Sequence, residues 1–472
     1  MRRRAHPAGQ AGAAVTARQP AKRDAGHVPQ AAPTAANSAP TGSGDGWLRR
    51  DRRAVAQSPY APPLVFDRGE GCRLWDVDGR RFLDFESGQF CMSTGHSHPR
   101  VTEAIVRQAE RLMQIGNRFT CVPRIELAEK LAEISPPPLG RTFFCSTGSE
   151  ATETALRIAK LVTGRFEVIG LQRGYHGRTS AAFALSSPSR QSRRGAGPTL
   201  PGVVLVPPPY ELRCPFACGR CDQRCWRQSV ETIDRTSSGE PAAVIVEPVI
   251  GAGGIIPVAA QWLRDVRAFC DERGALLIAD EALTGLGRTG KWFGFEHAGV
   301  VPDIIVMSKA LGGGVPTAAI TTTAEIAELA LERRFVQAAS HQGDPFQCTV
   351  ALANLEVIEQ EGLLENAARM GARLNAGLQE LVGRHRIAGQ ARGIGLIQGI
   401  EIVDGDAESP ELAAAVNVAA MRRGLIAGGL RPGIREGNTL RLGPPLVVDD
   451  DAVDEALLIL DEALFEVGAT GV

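Results

Sequence analysis

The sequence of 472 residues predicts an α/β fold, in which a large domain contains a mostly parallel sheet and a smaller α+β domain follows it. Between Arg141 and Thr321, short apolar runs alternate with helical patterns, which is typical of a parallel sheet with helices on both faces. Several of these runs end in a polar residue, and ligands bind at that end of the strands in such sheets. After Phe346, a helical pattern precedes the strand-like segments GIGLIQGIEIV and LRLGPPLVV and a terminal helix, which predicts the second domain.

The chain divides into four predicted segments. The first is rich in Ala, Pro, Gly, Ser and Arg without apolar periodicity, so we expect a disordered tail, with a transit peptide as the alternative because its start is Arg-rich. In the next segment, Gly71–Phe85 has the pattern of a hairpin that turns at Asp78-Gly79. The predicted boundaries are 1–46 for the tail, 47–95 for an N-terminal segment that packs with the small domain, 96–340 for the large domain and 341–472 for the small domain.

The large domain opens with helical spacing at Val101, Ile105 and Leu112. Five apolar runs come next, each ahead of a turn or a helical pattern. We expect each to be a buried strand of the parallel sheet: RTFFCS, EVIGL, AAVIVEP, ALLIAD and DIIVMS.

Composition excludes several classes of protein. The 52 basic residues balance 53 acidic ones, so no excess of positive charge points to a nucleic-acid partner or a membrane surface. No uninterrupted run of 18 apolar residues is present, which argues against a membrane span. Ten cysteines in a long chain without a secretory signal favour reduced thiols and a cytoplasmic location.

Lysine is rare in this chain, and this narrows the search for a nucleophilic amine. There are five lysines, and the other basic residues are arginines, which do not deprotonate to become nucleophiles. Lys309 alone directly follows a predicted buried strand, and a triple glycine comes after it. A desolvated amine at such a position suits Schiff-base chemistry. The alternative is a lysine whose stem lies on apolar surface with its ammonium in water.

The segment CSTGSEATETALRIAK predicts an anion site. A strand ends at Cys145, a turn follows at Gly148 and Ser149, and a helical pattern begins at once. Backbone N–H groups at a helix N-terminus bind anions such as phosphate. The alternative is an ordinary helix start with Ser149 as its cap.

Asp280 closes the apolar run ALLIAD, so we expect its carboxylate at the end of a buried strand. A carboxylate there is costly unless a cation or a protonated group meets it, and a protonated heterocyclic nitrogen would serve. A helix cap or an ion pair with Arg288 is the alternative.

Nine motifs occur in a fixed order along the chain: LDFESGQ, GHSHP, STGSEA, YHGRT, EP, DEALTGLGRTG, PDIIVMSKALGGG, RGIGL and LRLGPPL. From about Ala61 to its C-terminus, the sequence therefore resembles the class III aminotransferases, which are fold-type I enzymes that use pyridoxal 5'-phosphate (PLP). The resemblance implies that the large domain binds PLP on a seven-stranded type of sheet. It also implies a homodimer whose sites are shared between the chains.

The same resemblance implies a set of cofactor-binding residues. Lys309 would hold PLP as a Schiff base and move the proton between substrate and cofactor, and Asp280 would keep the ring nitrogen protonated. The remaining residues would bind the phosphate or the ring: Gly148 and Ser149 through backbone groups, Tyr175 by stacking on the ring with His176 beside it, and Ser340 by reaching the phosphate from the partner subunit.

The resemblance also implies an activity and three substrate-binding residues. The enzyme would move an amino group from an amino acid or amine donor to an α-keto acid, pyruvate or 2-oxoglutarate, by a ping-pong mechanism. Arg441 would fork onto the α-carboxylate of the substrate, and Glu247 would lie at the pocket edge. Gln89 would hold a carboxylate over the ring plane, or else it is a loop amide that bonds to the backbone.

Four alternatives to plain transamination stay open. Within the family, the segments LDFESGQ, AKLVTG, RRGAGPT and IDRTSSG are most similar to 2,2-dialkylglycine decarboxylase, which implies a decarboxylating transaminase. An amino-acid racemase or epimerase would use the same fold. A PLP-binding regulator is the third, although residues 1–46 are too short and too poor in apolar residues for a DNA-binding domain. A catalytically dead scaffold is the fourth, and the intact Lys309, Asp280 and Arg441 argue against it.

A few positions depart from the family pattern or suggest a metal. Leu283 stands where the family normally has a glutamine that bonds to the ring oxygen, and Tyr175 stands where the decarboxylase has tryptophan. Asp344 matches the alkali-metal ligand of that enzyme. The spacing C-x3-C-x2-C-x3-C is within reach of a zinc site, but we predict no metal because the family often carries scattered cysteines here; the four residues are Cys214, Cys218, Cys221 and Cys225.

Overall fold

The computed structural model describes residues 42–56, 62–187, 189, 193–214, 216, 223–429 and 437–470. The strands are β1 (Phe66–Glu70), β2 (Arg73–Asp76), β3 (Arg81–Phe85), β4 (Leu139–Cys145), β5 (Val168–Leu171), β6 (Val203–Val206), β7 (Ala243–Val246), β8 (Val249–Ile250), β9 (Ile256–Pro257), β10 (Leu276–Asp280), β11 (Ile304–Met307), β12 (Ala318–Thr323), β13 (Ala388–Ile394), β14 (Ile397–Asp404), β15 (Ala407–Glu408), β16 (Leu425–Ala427) and β17 (Thr439–Leu442).

The helices are α1 (Gly44–Ala54), the four-residue turn α2 (Ser87–Phe90), α3 (Pro99–Ala109), α4 (Val122–Ile134), α5 (Gly148–Thr163), α6 (Ser180–Ala184), α7 (Arg224–Thr236), α8 (Ala260–Arg273), α9 (Ala324–Glu332), α10 (Pro345–Gln360), α11 (Leu363–Arg384), α12 (Pro410–Arg422) and α13 (Asp450–Thr470). Three short 3₁₀ segments span Glu211–Arg213, Gly294–Ala298 and Lys309–Gly312. No described helix is both long and apolar enough to cross a membrane.

The largest sheet has seven strands. Their order across the sheet is β4-β12-β11-β10-β7-β5-β6. Strands β11, β10, β7, β5 and β6 are parallel to one another, whereas β12 runs antiparallel to both β11 and β4. The predicted α/β fold with a mostly parallel seven-stranded sheet is therefore confirmed. The antiparallel strand β12 was not among the five predicted runs.

Both faces of this sheet are covered, and this explains why its strands are continuous apolar runs. Along β10, Ile278 packs in one core cluster with residues of α5. Its neighbour Leu277 faces the opposite cluster, which includes Trp262 of α8. Polar residues are therefore left to the ends of the strands.

Two smaller sheets join distant parts of the chain. The predicted hairpin is confirmed, because β2 and β3 pair antiparallel on either side of the turn at Asp78-Gly79. Strand β16 then pairs parallel with β3, so the N-terminal segment shares a sheet with a strand near the C-terminus. In the other sheet, β14 pairs with β13, β15 and β17.

Two boundaries differ from the sequence prediction. Helix α1 begins at Gly44, inside the predicted tail 1–46, because Ser43 caps it and the Gly44 N–H donates to Asp78 Oδ1 at 3.1 Å. Residues 1–41 lie outside the described part of the chain. Helix α10, which the prediction grouped with the small domain, packs on α3 and α4 of the segment 96–340.

Candidate active site

Lys309 lies two residues beyond the end of β11 and opens the 3₁₀ segment Lys309–Gly312. Its backbone is left-handed, with φ of +44°, a conformation that non-glycine residues rarely adopt outside constrained sites. The glycines after it are needed for close approach, since a Cβ on Gly314 would lie 2.8 Å from Met92 Sδ. The side chain of Lys309 is half-buried, so its amine is partly desolvated but reachable.

The N-terminus of α5 lies beside this lysine. A Cβ on Gly148 would be 3.3 Å from the Cβ of Ser308, the residue before Lys309. Among the described residues, the backbone N–H groups of Gly148 and Ser149 have no acceptor. Two such donors at the start of a 16-residue helix form an anion site.

The N-cap of α5 is not Ser149, the cap that the sequence suggested as an alternative to an anion site. Thr147, not Ser149, is the N-cap: its side chain accepts from the Glu150 N–H at 3.3 Å. The Glu150 carboxylate accepts in return from the Thr147 N–H at 3.1 Å, which completes a capping box. The Ser149 hydroxyl instead accepts from the backbone of Arg178 at 3.0 Å, so it ties the helix start to the YHGRT segment.

Asp280 ends β10 and is buried with His176. Its Oδ2 lies 2.7 Å from His176 Nδ1, and the two side chains are 4 % and 1 % exposed. Burial alone would lower the pKa of His176, but the hydrogen bond and charge of Asp280 raise it overall, and Glu247 adds to the rise. The predicted ion-pair alternative is wrong, because Arg288 donates to backbone carbonyls elsewhere. The helix-cap alternative is also wrong, because no helix begins at Asp280: its Oδ1 accepts from the Ala282 N–H at 3.1 Å within a turn.

Glu247 is also buried here and orients the Tyr175 segment. Its two oxygens accept from the Tyr175 N–H at 2.8 Å and from the Gly251 N–H at 3.1 Å. Burial raises the pKa of Glu247, while the positive charge of His176 opposes the rise. The Tyr175 side chain is half-buried. The structure thus brings Tyr175, His176, Glu247 and Asp280 together.

The other predicted residues lie on separate segments. Ser340 is exposed in a loop beside the residues that precede α5, and the Ser146 hydroxyl donates to the next carbonyl, that of His341. Arg441 is on β17, where it pairs with Gly399 of β14 and with Gly428. Gln89 is exposed on α2, which packs against the segment Lys309–Gly312.

Leu283 belongs to an apolar cluster around Phe90, Val249, Ile255 and Ile397. A Cβ on Gly251 would overlap the Leu283 side chain, so the glycine makes room for it. The residue in place of the family glutamine therefore packs against apolar neighbours next to Glu247.

The positions that suggested a metal lie only partly within the described residues. No group of three or more His, Cys, Asp or Glu in the described residues is arranged to hold an ion. Asp344 is buried and its Oδ2 lies 2.8 Å from His341 Nδ1. Of the four clustered cysteines, Cys225 is buried and Cys214 half-buried, whereas Cys218 and Cys221 lie outside the described residues.

Comparison with known proteins identifies the family. The family model "Aminotransferase class-III" matches residues 54–464. A probable 4-aminobutyrate aminotransferase of Bacillus subtilis is 37% identical, over 84% of this chain and 92% of that protein. An acetylornithine aminotransferase of Archaeoglobus fulgidus is 34% identical, over 88% of this chain and 99% of that protein.

A solved structure agrees. An amine transaminase from an uncultivated Pseudomonas species, described in its PLP-bound internal aldimine form, has a TM-score of 0.81 and 31% identity, and the match covers 88% of this chain and 98% of that one. The chain belongs to the class III aminotransferases. It is a PLP-dependent transaminase of fold type I, as the sequence predicted.

The described residues fit PLP. The free N–H groups of α5 suit a phosphate ester, and the buried Asp280 carboxylate suits a protonated ring nitrogen. The Nε2 atom of His176 is buried without a hydrogen-bond partner among the described residues, as expected where a ligand completes a site. When bound, PLP supplies an aldehyde for the amino group and an electron-withdrawing ring.

Sequence reasoning missed two features of this site. One is the left-handed turn α2, and the other is the buried contact of Arg288 with it. The GRTG segment marks the arginine, but nothing local shows that its partners are carbonyls more than 100 residues away.

Proposed function

We propose that this transaminase moves an amino group from an amino acid or amine donor to pyruvate or 2-oxoglutarate by a ping-pong mechanism. The observation that carries the proposal is the juxtaposition of Lys309, the free N–H groups of α5 and the buried Asp280–His176 pair. Together they supply an amine, a phosphate site and a counter-charge for a ring nitrogen.

Each residue has a proposed role. Lys309 would hold the cofactor through its amine and, with that amine free, would carry the proton between the donor's carbon and the cofactor. Asp280, oriented by His176, keeps the ring nitrogen protonated. Gly148 and Ser149 donate to the phosphate, and Tyr175 stacks on the ring.

The substrate carboxylate is proposed to meet Arg441 and Gln89. Arginine binds a carboxylate with two parallel N–H groups, and an amide donates one. Glu247 is proposed to act at the edge of the pocket through the Tyr175 backbone that it holds. The names of the relatives suggest 4-aminobutyrate and N-acetylornithine as the first donors to test.

A decarboxylating transaminase, resembling 2,2-dialkylglycine decarboxylase, is the second candidate. The observation that favours it is the exposed Gln89 on a turn packed against Lys309–Gly312, where an amide can hold a carboxylate. The bond set perpendicular to the ring plane is the one that breaks, so Gln89 and Arg441 compete to decide the reaction. A racemase or epimerase reaction would instead return label from heavy water to the substrate without a keto product.

We propose a homodimer with the Ser340 loop at the interface. The neighbouring segment exposes a set of large apolar side chains: Leu112, Met113, Phe119, Val122 and Ile125. Gln114 of that segment donates to the Ser340 carbonyl at 2.9 Å, so the patch and the loop are adjacent. Light scattering at working concentration tests the dimer. A cytoplasmic location remains part of the proposal, supported by the number of thiols in the chain.

One experiment separates the two candidate reactions. The holoenzyme is mixed in single turnover with 2-aminoisobutyrate, 4-aminobutyrate or L-alanine, while the cofactor's visible band is recorded and carbon dioxide is trapped. Because 2-aminoisobutyrate has no α-proton, it reacts only by loss of its carboxylate. Conversion with matching carbon dioxide supports the decarboxylating reaction; conversion with the other donors alone supports plain transamination. A holoenzyme that converts with no donor and accepts no amino group contradicts the proposal.

A further inference from the structure

The turn α2 has an unusual backbone. Its four residues have φ of +44° at Ser87, +57° at Gly88, +60° at Gln89 and +67° at Phe90. Glycine accepts this region freely, but the other three residues do not. A run of three disfavoured residues persists only where the surroundings hold it.

Polar contacts hold the start of the turn. Asp84 Oδ1 accepts from the Glu86 N–H at 3.0 Å and the Ser87 N–H at 2.8 Å. The other oxygen of Asp84 lies 2.7 Å from His96 Nε2. The Ser87 hydroxyl donates to the Gly443 carbonyl at 2.7 Å, which fixes the turn to the LRLGPPL segment.

Arg288 also contacts the turn, through Ser87 and Phe90. It is 1 % exposed, and its guanidinium donates to the Leu396 carbonyl at 3.1 Å, to the Pro444 carbonyl, and to the Ser87 hydroxyl at 3.4 Å. Its Cζ also lies 5.2 Å from the centre of the Phe90 ring. One side chain thus joins α2, the β13–β14 turn and the segment after β17.

The guanidinium of Arg288 has no ion-pair partner in the described part of the chain, although the charge of Asp84 favours its protonated form. Within the described ranges, no carboxylate lies at ion-pair distance from its guanidinium. Burial lowers the pKa of Arg288 to about 9, against the opposing influence of Cys91 and Asp84. Burying a cation without a counter-ion destabilises the folded state. Core packing alone therefore does not explain why an arginine occupies this position.

The turn that Arg288 contacts packs against the segment Lys309–Gly312. Burial raises the pKa of the Cys91 thiol, which follows the turn, and the positive charges of Lys309 and Arg288 oppose that rise. Met92 lies against Gly314. The positions of Gln89 and Phe90 relative to Lys309 therefore depend on how α2 is held.

We propose that Arg288 is a positioning residue of the active site: its guanidinium holds the left-handed turn Ser87–Phe90 through the Ser87 hydroxyl and the Phe90 ring, and so sets the place of Gln89 beside the segment Lys309–Gly312. Arg288 does not touch the reacting atoms. It acts through the turn, and it ties the turn to Leu396 and Pro444 at the same time.

The test compares Arg288→Met, Arg288→Lys, Ser87→Ala and the double variant Ser87→Ala/Arg288→Met as holoenzymes. The matched control is Arg267→Met, because Arg267 is a mostly buried arginine on α8 that pairs with Asp303 at 2.7 Å. Two readouts report on the pocket: the visible circular dichroism of bound PLP, and the rates at which aminooxyacetate and O-methylhydroxylamine remove the cofactor's visible band. The first reagent carries a carboxylate and the second does not.

We expect Arg288→Met to change the dichroism and to lower the preference for aminooxyacetate about tenfold to a hundredfold, because small displacements near reacting groups have effects of this size. The double variant should equal Arg288→Met, since both changes release the same turn. Arg288→Lys should recover part of the preference. Arg267→Met should lower the melting temperature without changing either pocket readout.

The proposal is overturned if Arg288→Met changes only the melting temperature, as the control does, or if the effects of Ser87→Ala and Arg288→Met add. If Arg288→Met does not fold, Ser87→Ala decides, because it removes the link and keeps the guanidinium. The reagent preference rests on the proposed carboxylate role of Gln89. A native enzyme with no preference contradicts that role, while the dichroism still tests Arg288.

Discussion

Two buried carboxylates, Asp280 and Glu401, have opposite surroundings. Glu401 on β14 is fully buried and accepts from Tyr210, from Arg213 at 2.7 Å and from Arg392 at 2.6 Å. Burial alone would raise its pKa, but these donors and charges lower the pKa to about 2. Asp280 has a single titratable partner, His176, whose second nitrogen is unsatisfied among the described residues.

The difference separates a structural cluster from a ligand site. At Glu401 two arginines neutralise the single negative charge of the carboxylate, and its oxygens already accept hydrogen bonds from the protein. This carboxylate therefore does not need a ligand as a partner. At Asp280 the polar groups are left incomplete, as expected where a cofactor supplies the missing partner.

The largest effect is expected at Lys309. Lys309→Ala should reduce turnover by at least about four orders of magnitude, the scale seen when a covalent catalytic residue is removed. The control is Lys291→Ala, since Lys291 is exposed and, among the described residues, donates to the Glu296 carbonyl alone, at 3.4 Å. Steady-state assays of both variants check this, and substantial turnover by Lys309→Ala would refute the assignment.

Asp280→Asn keeps the shape of the side chain and removes its charge. We expect kcat to fall roughly a hundredfold or more, because the charge acts on the group that reacts. The melting temperature should change little, since the amide still bonds with His176. Stopped-flow measurement of the half-reaction checks this, and an unchanged rate would mean that the pair is structural.

Glu401→Gln should have the reverse effect: it should lower stability and leave kcat almost unchanged. It leaves the mostly buried guanidinium of Arg392 and the partly exposed one of Arg213 poorly compensated, so the free energy of unfolding should fall by about 3–5 kcal/mol. Turnover per folded molecule should stay close to that of the native enzyme. Denaturant titration and active-site counting measure the two effects, and a selective loss of kcat would erase the contrast with Asp280.

A third buried carboxylate, Glu281, extends the comparison to the pH dependence of stability. Burial raises the pKa of Glu281 to about 7, although Thr284 and the N–H groups of Gly294 and Phe295 oppose the rise. The folded protein therefore favours the protonated carboxyl. Its contribution to stability is complete below the ordinary pKa of 4.5 and is lost as the pH rises through about 7.

Glu281→Gln should accordingly flatten the fall in melting temperature between about pH 5 and 8. At Glu401 the sign is opposite, because its pKa is lowered: its contribution is present above pH 4.5 and is lost as the pH falls toward 2. Calorimetry across this range, with the native protein alongside, checks both. An unchanged slope in Glu281→Gln would contradict the raised pKa.

The smallest effect is expected at the start of α5. Ser149→Ala removes the acceptor of the Arg178 N–H, and PLP affinity should fall about threefold to tenfold, the value of one hydrogen bond. Thr147→Ala removes the helix cap and should cost about 1 kcal/mol of stability. Equilibrium dialysis and thermal melts distinguish the two; equal effects on PLP affinity would mean that the hydroxyl of Ser149 has no special part.

The sequence predicted the sheet and the position of Lys309 because strands covered on both faces are unbroken apolar runs that end in polar residues. The cap of α5 was also readable, since Thr147 and Glu150 have the spacing of a capping box. The pairing of Asp280 with His176 was not, because it joins residues 104 apart in the chain.

The turn α2 was hidden for a different reason. The segment ESGQF contains one glycine, and local propensity places its other residues at negative φ. The left-handed conformation of Ser87, Gln89 and Phe90 is held by Asp84, Gly443 and Arg288, which come from three separate segments. Such tertiary constraints leave no periodic pattern in the sequence.

The central claim is that Lys309 holds the cofactor, and one measurement tests it directly. The holoenzyme is reduced with borohydride, digested, and mapped by mass spectrometry for the lysine that carries the reduced cofactor. We predict one labelled site, at Lys309, among the five lysines of the chain. Label at Lys130, Lys160 or Lys291, or loss of the visible band without any labelled lysine, would contradict the account.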